Sequence, residues 1–198
     1  MPLTKVQFIS QSLTLLGKKP IQNLLNQSDI VTAASAAFDY LLPNVLSQGQ
    51  WRFATTIVQL PQLVNPPVGG YWSFAYQLPG DFLKLIHLWP PIYNFEIYHA
   101  NQLFSNFNSQ FQALFLEYVF LPQVQDLPDY FTKYFVYELA AYLSLSNAQT
   151  PGFYQAIEPQ RGIELARALA ADAQNRPQTP LQSMPMISRR YVSLFTSG

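Results

Sequence analysis

The chain has 198 residues, of which 49% are apolar, 15% aromatic and only 11% charged, and its 11 basic and 11 acidic residues give a net charge of zero. Soluble domains usually carry about 25% charged residues, so we expect other protein to cover part of the surface. The lack of cysteine excludes disulfides, thiolate metal sites and a cysteine nucleophile, and the neutral balance argues against a dedicated nucleic-acid surface.

The N-terminal residues lack the pattern of a signal sequence, and we expect no apolar run to reach transmembrane length. We therefore expect a soluble protein that is made in a cytoplasm and has no membrane partner.

Two amphipathic helices are predicted first, over residues 3–16 and 28–49. In the second helix, apolar residues recur every three or four positions, which is typical of one buried stripe. Ser28 suits the N-cap, and Gly49 is expected to end the helix in the left-handed conformation. Pro43 removes one helical hydrogen bond, so we expect a kink.

Strands are predicted next, because the helical period gives way to alternation at Trp51. A strand is expected to begin there directly after the helix, with Trp51, Phe53 and Trp72 as a structural corner. Aromatic residues on these strands could stack nucleic-acid bases, but such patterns are more often the core of a sheet packed on helices. The predicted strands are 51–60, 71–78, 82–89, 95–99 and 114–120, whereas residues 101–112 show no clear period.

Two further helices are predicted over residues 127–147 and 153–175, the last interrupted near Pro159 and Gly162. Residues 177–198 contain three prolines and no helical period, which indicates an extended arm. The second half of the last helix has a strong apolar stripe with charges on the other side: Ile163, Leu165, Ala166, Leu169, Ala170 and Ala173. The predicted fold is α+β and mainly α, a bundle of about four helices with a β insertion over 51–121, in one domain over 1–176.

Candidate chemistry is sparse in this sequence. It contains no P-loop, no glycine-rich dinucleotide motif, no nucleophile elbow and no zinc-protease helix. His87 and His99 lie on or near predicted strands, where an acid–base or metal role would need a partner such as Glu96 or Asp81. A hydrogen-bonded strand histidine is the more common case. We therefore predict a protein that is not an enzyme, without catalytic residues, cofactor or metal. A small soluble enzyme or ligand-binding module that uses His87 or His99 is the alternative.

Four segments resemble, in their order and spacing, the tail tubular protein A family of short-tailed bacteriophages, which form the adaptor ring under the portal. They are LLGKKPI at 15–21, SQGQWRF at 47–53, YQLPGDFLKL at 76–85, and LPDYF at 127–131 followed by ELAA at 138–141. The chain departs from the family pattern at Pro43 and Pro159.

The resemblance implies a structural virion protein that is assembled in the host cytoplasm and lies at the head-to-tail junction. It implies a mostly helical subunit in a ring of twelve copies. The ring would join the portal protein to a tail nozzle protein similar to tail tubular protein B. Genomic DNA would pass non-specifically through its lumen for packaging retention and ejection. Ring closure needs a heterologous interface, with one patch on each side of every subunit.

Residues 177–198 are predicted to be a docking arm for the portal or for a neighbouring subunit, because they carry too much apolar surface to leave in water. Residues 191–196 alternate as a strand would that joins the edge of a partner's sheet. Arginines at their start would set orientation, although two arginines beside a tyrosine could also touch phosphate. A tail folded back on its own subunit is the alternative. The expected docking residues are Arg189, Arg190, Tyr191, Val192, Leu194 and Phe195.

Overall fold

The structure, a computed structural model, describes residues 3–24, 28–65, 69–92, 94–98, 101–146 and 151–175. Within these residues the chain forms two helices, six strands and two more helices. They are α1 (Lys5–Leu15), α2 (Asp29–Gln48), β1 (Thr55–Gln59), β2 (Phe74–Gln77), β3 (Phe82–Trp89), β4 (Phe95–Tyr98), β5 (Gln102–Ser105), β6 (Phe115–Phe120), α3 (Asp129–Ser146) and α4 (Pro151–Gln174).

Local sequence closes α1 at both ends. Thr4 and Gln7 form a capping box, in which the Gln7 Oε1 accepts the Thr4 N–H at 2.8 Å and the Thr4 hydroxyl accepts the Gln7 N–H. At the other end Gly17 has φ 69°, and the N–H of Lys18 donates to the carbonyl of Leu13 at 2.9 Å. This is a Schellman ending, which glycine adopts without strain.

The end of α2 is set by a ring and not by a left-handed residue. Gly49 has φ −86° and ψ 161°, so the predicted left-handed stop is wrong. The Trp51 ring folds back over the helix end, where a Cβ on Gly49 would lie 2.2 Å from the indole Nε1. Glycine is therefore required here by the close approach of the indole. The helix continues through Pro43.

A 3-10 turn at Arg52–Ala54 separates α2 from β1, so the predicted direct passage from helix to strand at Trp51 is wrong. Asp172 of α4 caps this turn. One carboxylate oxygen accepts the backbone N–H of Arg52 at 2.8 Å and the other accepts that of Phe53 at 3.4 Å. The group that shapes the turn is thus 120 residues away in the sequence, where local alternation cannot reveal it.

The strands form two antiparallel sheets of three strands each: sheet A, in the order β1-β6-β3, and sheet B, in the order β2-β5-β4. In sheet A, Ile57 lies opposite Glu117, which lies opposite His87. In sheet B, Glu96 of the edge strand β4 lies opposite Phe104 of the central strand.

Sheet A separates two hydrophobic cores. Its central strand gives Val119 to the core under the helices, and Leu116 and Tyr118 to the core between the sheets. The helical core is built around aromatic rings, with Phe38 and Phe135 edge to face at 5.3 Å. The second core comprises Leu60, Tyr76, Leu78, Leu88, Leu103, Leu114, Leu116 and Tyr118.

The predicted fold class, a mainly helical bundle with a β insertion, is wrong. The fold is mixed α/β, with four helices and two antiparallel sheets among the described residues. The stretch 101–112, which shows no period, contains β5, and β5 joins β2 to β4. With that strand in place, the region after α2 builds a core of its own. The interruption predicted in the last helix is also wrong, since α4 runs unbroken across Pro159.

Among the described residues, one helix, α2, is long and apolar enough to cross a membrane by length and composition alone. This differs from the expectation that no apolar run reaches that length. The core helix of a soluble protein passes the same test, and α2 buries one stripe in the helical core: Val31, Ala34, Ala37, Phe38, Leu41, Leu42, Val45 and Leu46.

Candidate functional site

The contact between α4 and α3 is made by charged side chains. Arg161 lies between two carboxylates, 2.8 Å from Glu138 of α3 and 2.5 Å from Glu158 of its own helix. Glu164, whose side chain is only 4% exposed, binds Lys133 of α3 at 2.9 Å. The buried carboxylate of Glu164 therefore has a partner of opposite sign, and removing that partner would cost several kcal/mol.

The ionisation of these groups follows from the pairing. The hydrogen bond from Lys133 holds the pKa of Glu164 below its ordinary value, and the hydrogen bond from Arg161 does the same for the pKa of Glu158. Burial raises the pKa of Tyr134, and the charge of Glu138 raises it further. At neutral pH Glu164 and Glu158 are therefore ionised and Tyr134 is neutral.

Asp172 extends this polar stripe to the end of α4. Its side chain is 2% exposed, and it accepts the Tyr130 hydroxyl at 2.8 Å in addition to the backbone N–H of Arg52. Burial raises the pKa of Tyr130, and the hydrogen bond to Asp172 adds to the effect. The carboxylate joins three separate parts of the chain: α4, α3 and the turn after α2.

Because Arg161, Glu164 and Asp172 face the rest of the subunit, α4 presents its apolar stripe to solvent. The side chain of Arg167, 65% exposed, lies on the same side of the helix as this stripe. Ile163 is 44% and Leu169 42% exposed, and the alanines at 166, 170 and 173 are exposed as well. Of the apolar stripe noted in the sequence, Leu165 alone packs against the helical core among the described residues. The reason is that α3 presents charged groups that only the polar side of α4 can satisfy. We call Ile163, Ala166, Leu169, Ala170 and Ala173 the α4 outer face.

Sheet A has a second exposed apolar area where the helical layer ends. Phe115 lies opposite both Gln59 and Trp89. Trp89 is 53%, Ile57 58% and Phe115 39% exposed. A groove of about 490 Å³ runs beside them, lined in part by Arg52, His87 and Glu117. This area is an uncovered sheet face.

On sheet B a single carboxylate is framed by aromatic rings. Glu96 accepts the indole N–H of Trp72 at 3.3 Å and the hydroxyl of Tyr98. The bond to Glu96 is the main reason that the pKa of Tyr98 is raised. Tyr71, 77% exposed, packs edge to face on Trp72 at 4.9 Å. We call Glu96, Trp72, Tyr98 and Tyr71 the Glu96 site.

Of the three residues of the predicted corner, Trp51 and Phe53 lie together, whereas Trp72 lies elsewhere. Trp51 is 1% exposed and lies 6.0 Å from Phe53, between ring centroids, in the helical core. Trp72 instead belongs to the Glu96 site. The burial of Trp51 excludes it as a base-stacking platform. No sequence signal joined Trp72 to a carboxylate 24 residues away, so the Glu96 site was missed.

The other predicted site residues fall in two groups. His87 is exposed in the groove beside sheet A, with its ring 6.3 Å from that of Trp89. His99 and the predicted docking residues Arg189, Arg190, Tyr191, Val192, Leu194 and Phe195 lie outside the described residues, as does the rest of the arm at 177–198. Within the part of the chain that is described, no three histidine or acidic side chains group so that they could hold a metal ion.

What the described surface offers is therefore contact area: an apolar helix face, an uncovered sheet face and an acidic site ringed by aromatic side chains. Comparison with protein families finds no family that matches this chain, and comparison with curated proteins finds no match either.

Proposed function

We propose that the chain is a structural virion protein, the subunit of a head-to-tail adaptor ring of a short-tailed bacteriophage. The observation that carries the proposal is the orientation of α4, which directs its ion pairs toward α3 and turns Ile163 and Leu169 outward, 44% and 42% exposed. An apolar stripe on the longest helix is an unusual surface for a monomer, and it suits a subunit that is covered on assembly.

Ring closure adds a second requirement, which the described surface can meet. A heterologous interface uses two different patches of each subunit. The α4 outer face and the uncovered face of sheet A are two such patches on different elements, the second marked by Ile57 and Trp89. In the proposed ring, each subunit contributes both patches to its neighbours and the portal protein.

The segments that carry the resemblance lie at junctions of the fold, which supports the proposal. The segment 47–53 turns α2 into the Trp51 corner. The segment 76–85 links β2 to β3 through Asp81, which accepts the Tyr118 hydroxyl at 3.0 Å and the Leu121 N–H at 2.9 Å. Burial raises the pKa of Tyr118 to about 12, so this hydroxyl remains a donor at neutral pH.

The charge balance suits the proposed role at the genome channel. A lumen that lets DNA slide cannot hold it by many lysine or arginine contacts, since each contact adds salt-sensitive affinity. The chain carries 11 basic and 11 acidic residues. In the proposal the ring of twelve copies joins the portal protein to a tail nozzle protein, and DNA passes through it non-specifically.

The proposal is tested by light scattering and electron microscopy of the purified protein, alone and with the portal protein of the same phage. We expect a monomer or weak oligomers alone and a closed ring on the portal. The portal is a multivalent template that raises the effective concentration of bound subunits. A tight dimer under both conditions would contradict the proposal.

A matched pair of variants tests the surface. Ala166→Arg places a long charged side chain in the α4 outer face, and Ala36→Arg places one at an exposed alanine of α2. The free energy of unfolding of both variants should lie within about 0.5 kcal/mol of the wild-type value, because both positions are exposed. Only Ala166→Arg should lose ring formation on the portal. If it assembles as well as Ala36→Arg, the α4 outer face is not an interface.

A further inference from the structure

The charges of this neutral chain are divided unequally along it. Residues 1–175 carry 8 basic and 11 acidic side chains, a net charge of −3, whereas residues 176–198 carry three arginines and no acid, a net charge of +3. The last 23 residues are thus a basic and apolar segment attached to an acidic body. We expect the basic segment to bind an acidic side chain of residues 1–175 that forms no salt bridge within the described part of the subunit.

The Glu96 site fits an arginine side chain. Glu96 is the single charged residue in the three strands of sheet B, and no salt bridge to it is found among the described residues. Its carboxylate is already oriented by Trp72 and Tyr98. Planar guanidinium groups bind carboxylates through paired hydrogen bonds and pack on aromatic faces. The ammonium group of a lysine is a point charge and would not form the paired, planar hydrogen bonds that a guanidinium forms with a carboxylate.

The strand that carries Glu96 is also an open edge. Among the described residues β4 pairs with β5 on one side only, and antiparallel pairing uses the N–H and C=O groups of alternate residues. The remaining groups of β4 therefore face away from the sheet. Ile97 and Tyr98 are each 39% exposed beside them. Such an edge accepts an added strand whose side chains are apolar.

We propose that residues 189–196 of one copy bind along β4 of a neighbouring copy, with Arg189 or Arg190 at Glu96. The inference rests on the proposed function, because it names the acceptor of the docking arm in the ring. The arm has the matching pattern: two arginines, then alternation of Tyr191, Ser193 and Phe195 with Val192 and Leu194. Arginine at Glu96 fixes the register, and the backbone and apolar side chains supply the contact.

The length of chain available allows contact with another copy. α4 ends at Gln174, and the fourteen residues 175–188 separate it from the two arginines. Fourteen residues can span up to about 45–50 Å when extended, which is more than the diameter of a small domain.

The cysteine-free sequence allows a direct test by disulfide trapping. One full-length variant carries Ile97→Cys on β4. Two others carry Ser193→Cys or Leu194→Cys, because adjacent strand residues point to opposite faces. Each arm variant is mixed with the β4 variant and oxidised under two conditions, in solution at high protein concentration and bound to the portal protein. The products of both reactions are separated on a non-reducing gel. We expect a mixed dimer, formed more with one arm cysteine than with the other. Tyr40→Cys, 61% exposed on α2, replaces Ile97→Cys as the control and should give little mixed dimer.

Charge reversal tests the arginine contact in the same assay. Glu96→Arg added to the β4 variant should lower the yield of mixed dimer about tenfold, the effect of losing one charge-assisted hydrogen-bonded pair. Arg189→Glu with Arg190→Glu on the arm variant should restore the yield. A failure of reversal to lower the yield would overturn the role of Glu96.

The remaining outcomes separate this inference from the proposed function. If a single chain with Ile97→Cys and Leu194→Cys closes on itself and forms no dimer, the arm folds back on its own subunit and the inference is overturned. If rings form on the portal with no trapped dimer, the inference fails and the adaptor function stands. If the dimer is trapped but no ring forms on the portal, the adaptor function fails and the contact with the neighbouring copy stands.

Discussion

The indole Nε1 of Trp51 donates a hydrogen bond of 3.1 Å to the carbonyl oxygen of Val45, one turn before the end of α2. The same oxygen accepts the N–H of Gly49 at 3.2 Å. The indole packs edge to face on Phe131 of α3, with centroids 4.9 Å apart. One side chain thus ends a helix, turns the chain towards the sheets and joins that corner to the helical core.

The first prediction concerns the glycine under this ring. Gly49→Ala should lower the free energy of unfolding by about 1–3 kcal/mol, because its Cβ would lie 2.2 Å from the indole nitrogen in a packed core. Gly162→Ala is the matched control, since no atom lies within 4 Å of its added Cβ and alanine favours the helix by about 0.5–1 kcal/mol. Urea unfolding should show changes of opposite sign. Equal changes would contradict the account of Gly49.

Helix positions could be predicted from the sequence because each helix carries its own period and boundary residues. Residues 28–49 were predicted and Asp29–Gln48 is observed; 127–147 were predicted and Asp129–Ser146 is observed. The strand β5, Gln102–Ser105, could not be predicted, because it lies in a polar stretch, residues 101–112, that shows no clear period. It is a strand because β2 and β4 lie on either side of it.

The orientation of α4 could not be predicted for a different reason. Its apolar stripe alone predicts burial, and the preference reverses only when Glu138 and Lys133 of α3 supply the ion pairs. The period of apolar residues describes each helix by itself, whereas the side of α4 that faces the subunit depends on the side chains of both α3 and α4. The Glu96 site has the same character, because its carboxylate and its indole come from segments 24 residues apart.

The second prediction is a pH dependence at Glu164. Its pKa is lowered in the folded protein by Lys133, so the unfolded chain binds the proton more readily and the pair stabilises the fold above the unfolded pKa, about 4.3. At pH 7, Glu164→Gln should lower the free energy of unfolding by about 1–2 kcal/mol. The difference in free energy of unfolding between the variant and the wild type should shrink as the pH falls through the lowered pKa of Glu164 in the folded protein.

Denaturant unfolding at several pH values measures this difference. Glu117→Gln is the control substitution, because no salt bridge to Glu117 is found among the described residues. An effect of Glu164→Gln that is constant from neutral to acid pH would show that the pair with Lys133 does not contribute through its charge.

The third prediction separates a structural protein from an enzyme. His87 is exposed in the groove beside sheet A, next to its cross-strand partner Glu117, and the alternative function depends on this residue or on His99. In the proposed adaptor neither histidine would have a chemical role, so replacing both by Gln should leave particle assembly and infectivity unchanged. Normal particles that have lost infectivity would favour the alternative. Counting particles by microscopy beside plaque titres distinguishes these results.

The fourth prediction concerns the arm as a whole. Deleting residues 177–198 should leave the subunit folded, because the described residues alone, all of which precede the arm, build two hydrophobic cores. The circular dichroism per helical residue should therefore match that of the full chain. Attachment to the portal should be lost, since the deletion removes Leu181, Met184, Met186, Ile187 and the docking residues from 189 to 195.

The control for this deletion keeps the arm and changes its charge. A full-length chain with Arg189→Glu and Arg190→Glu retains the apolar residues, and its association should be weakened about tenfold and not abolished, because the arginines set the register while the apolar strand supplies most of the contact. Occupancy of portal rings, counted from electron micrographs, ranks the three proteins. A truncated chain that joins the portal with wild-type occupancy would show that the arm is not the docking element and that the α4 outer face and sheet A suffice for assembly.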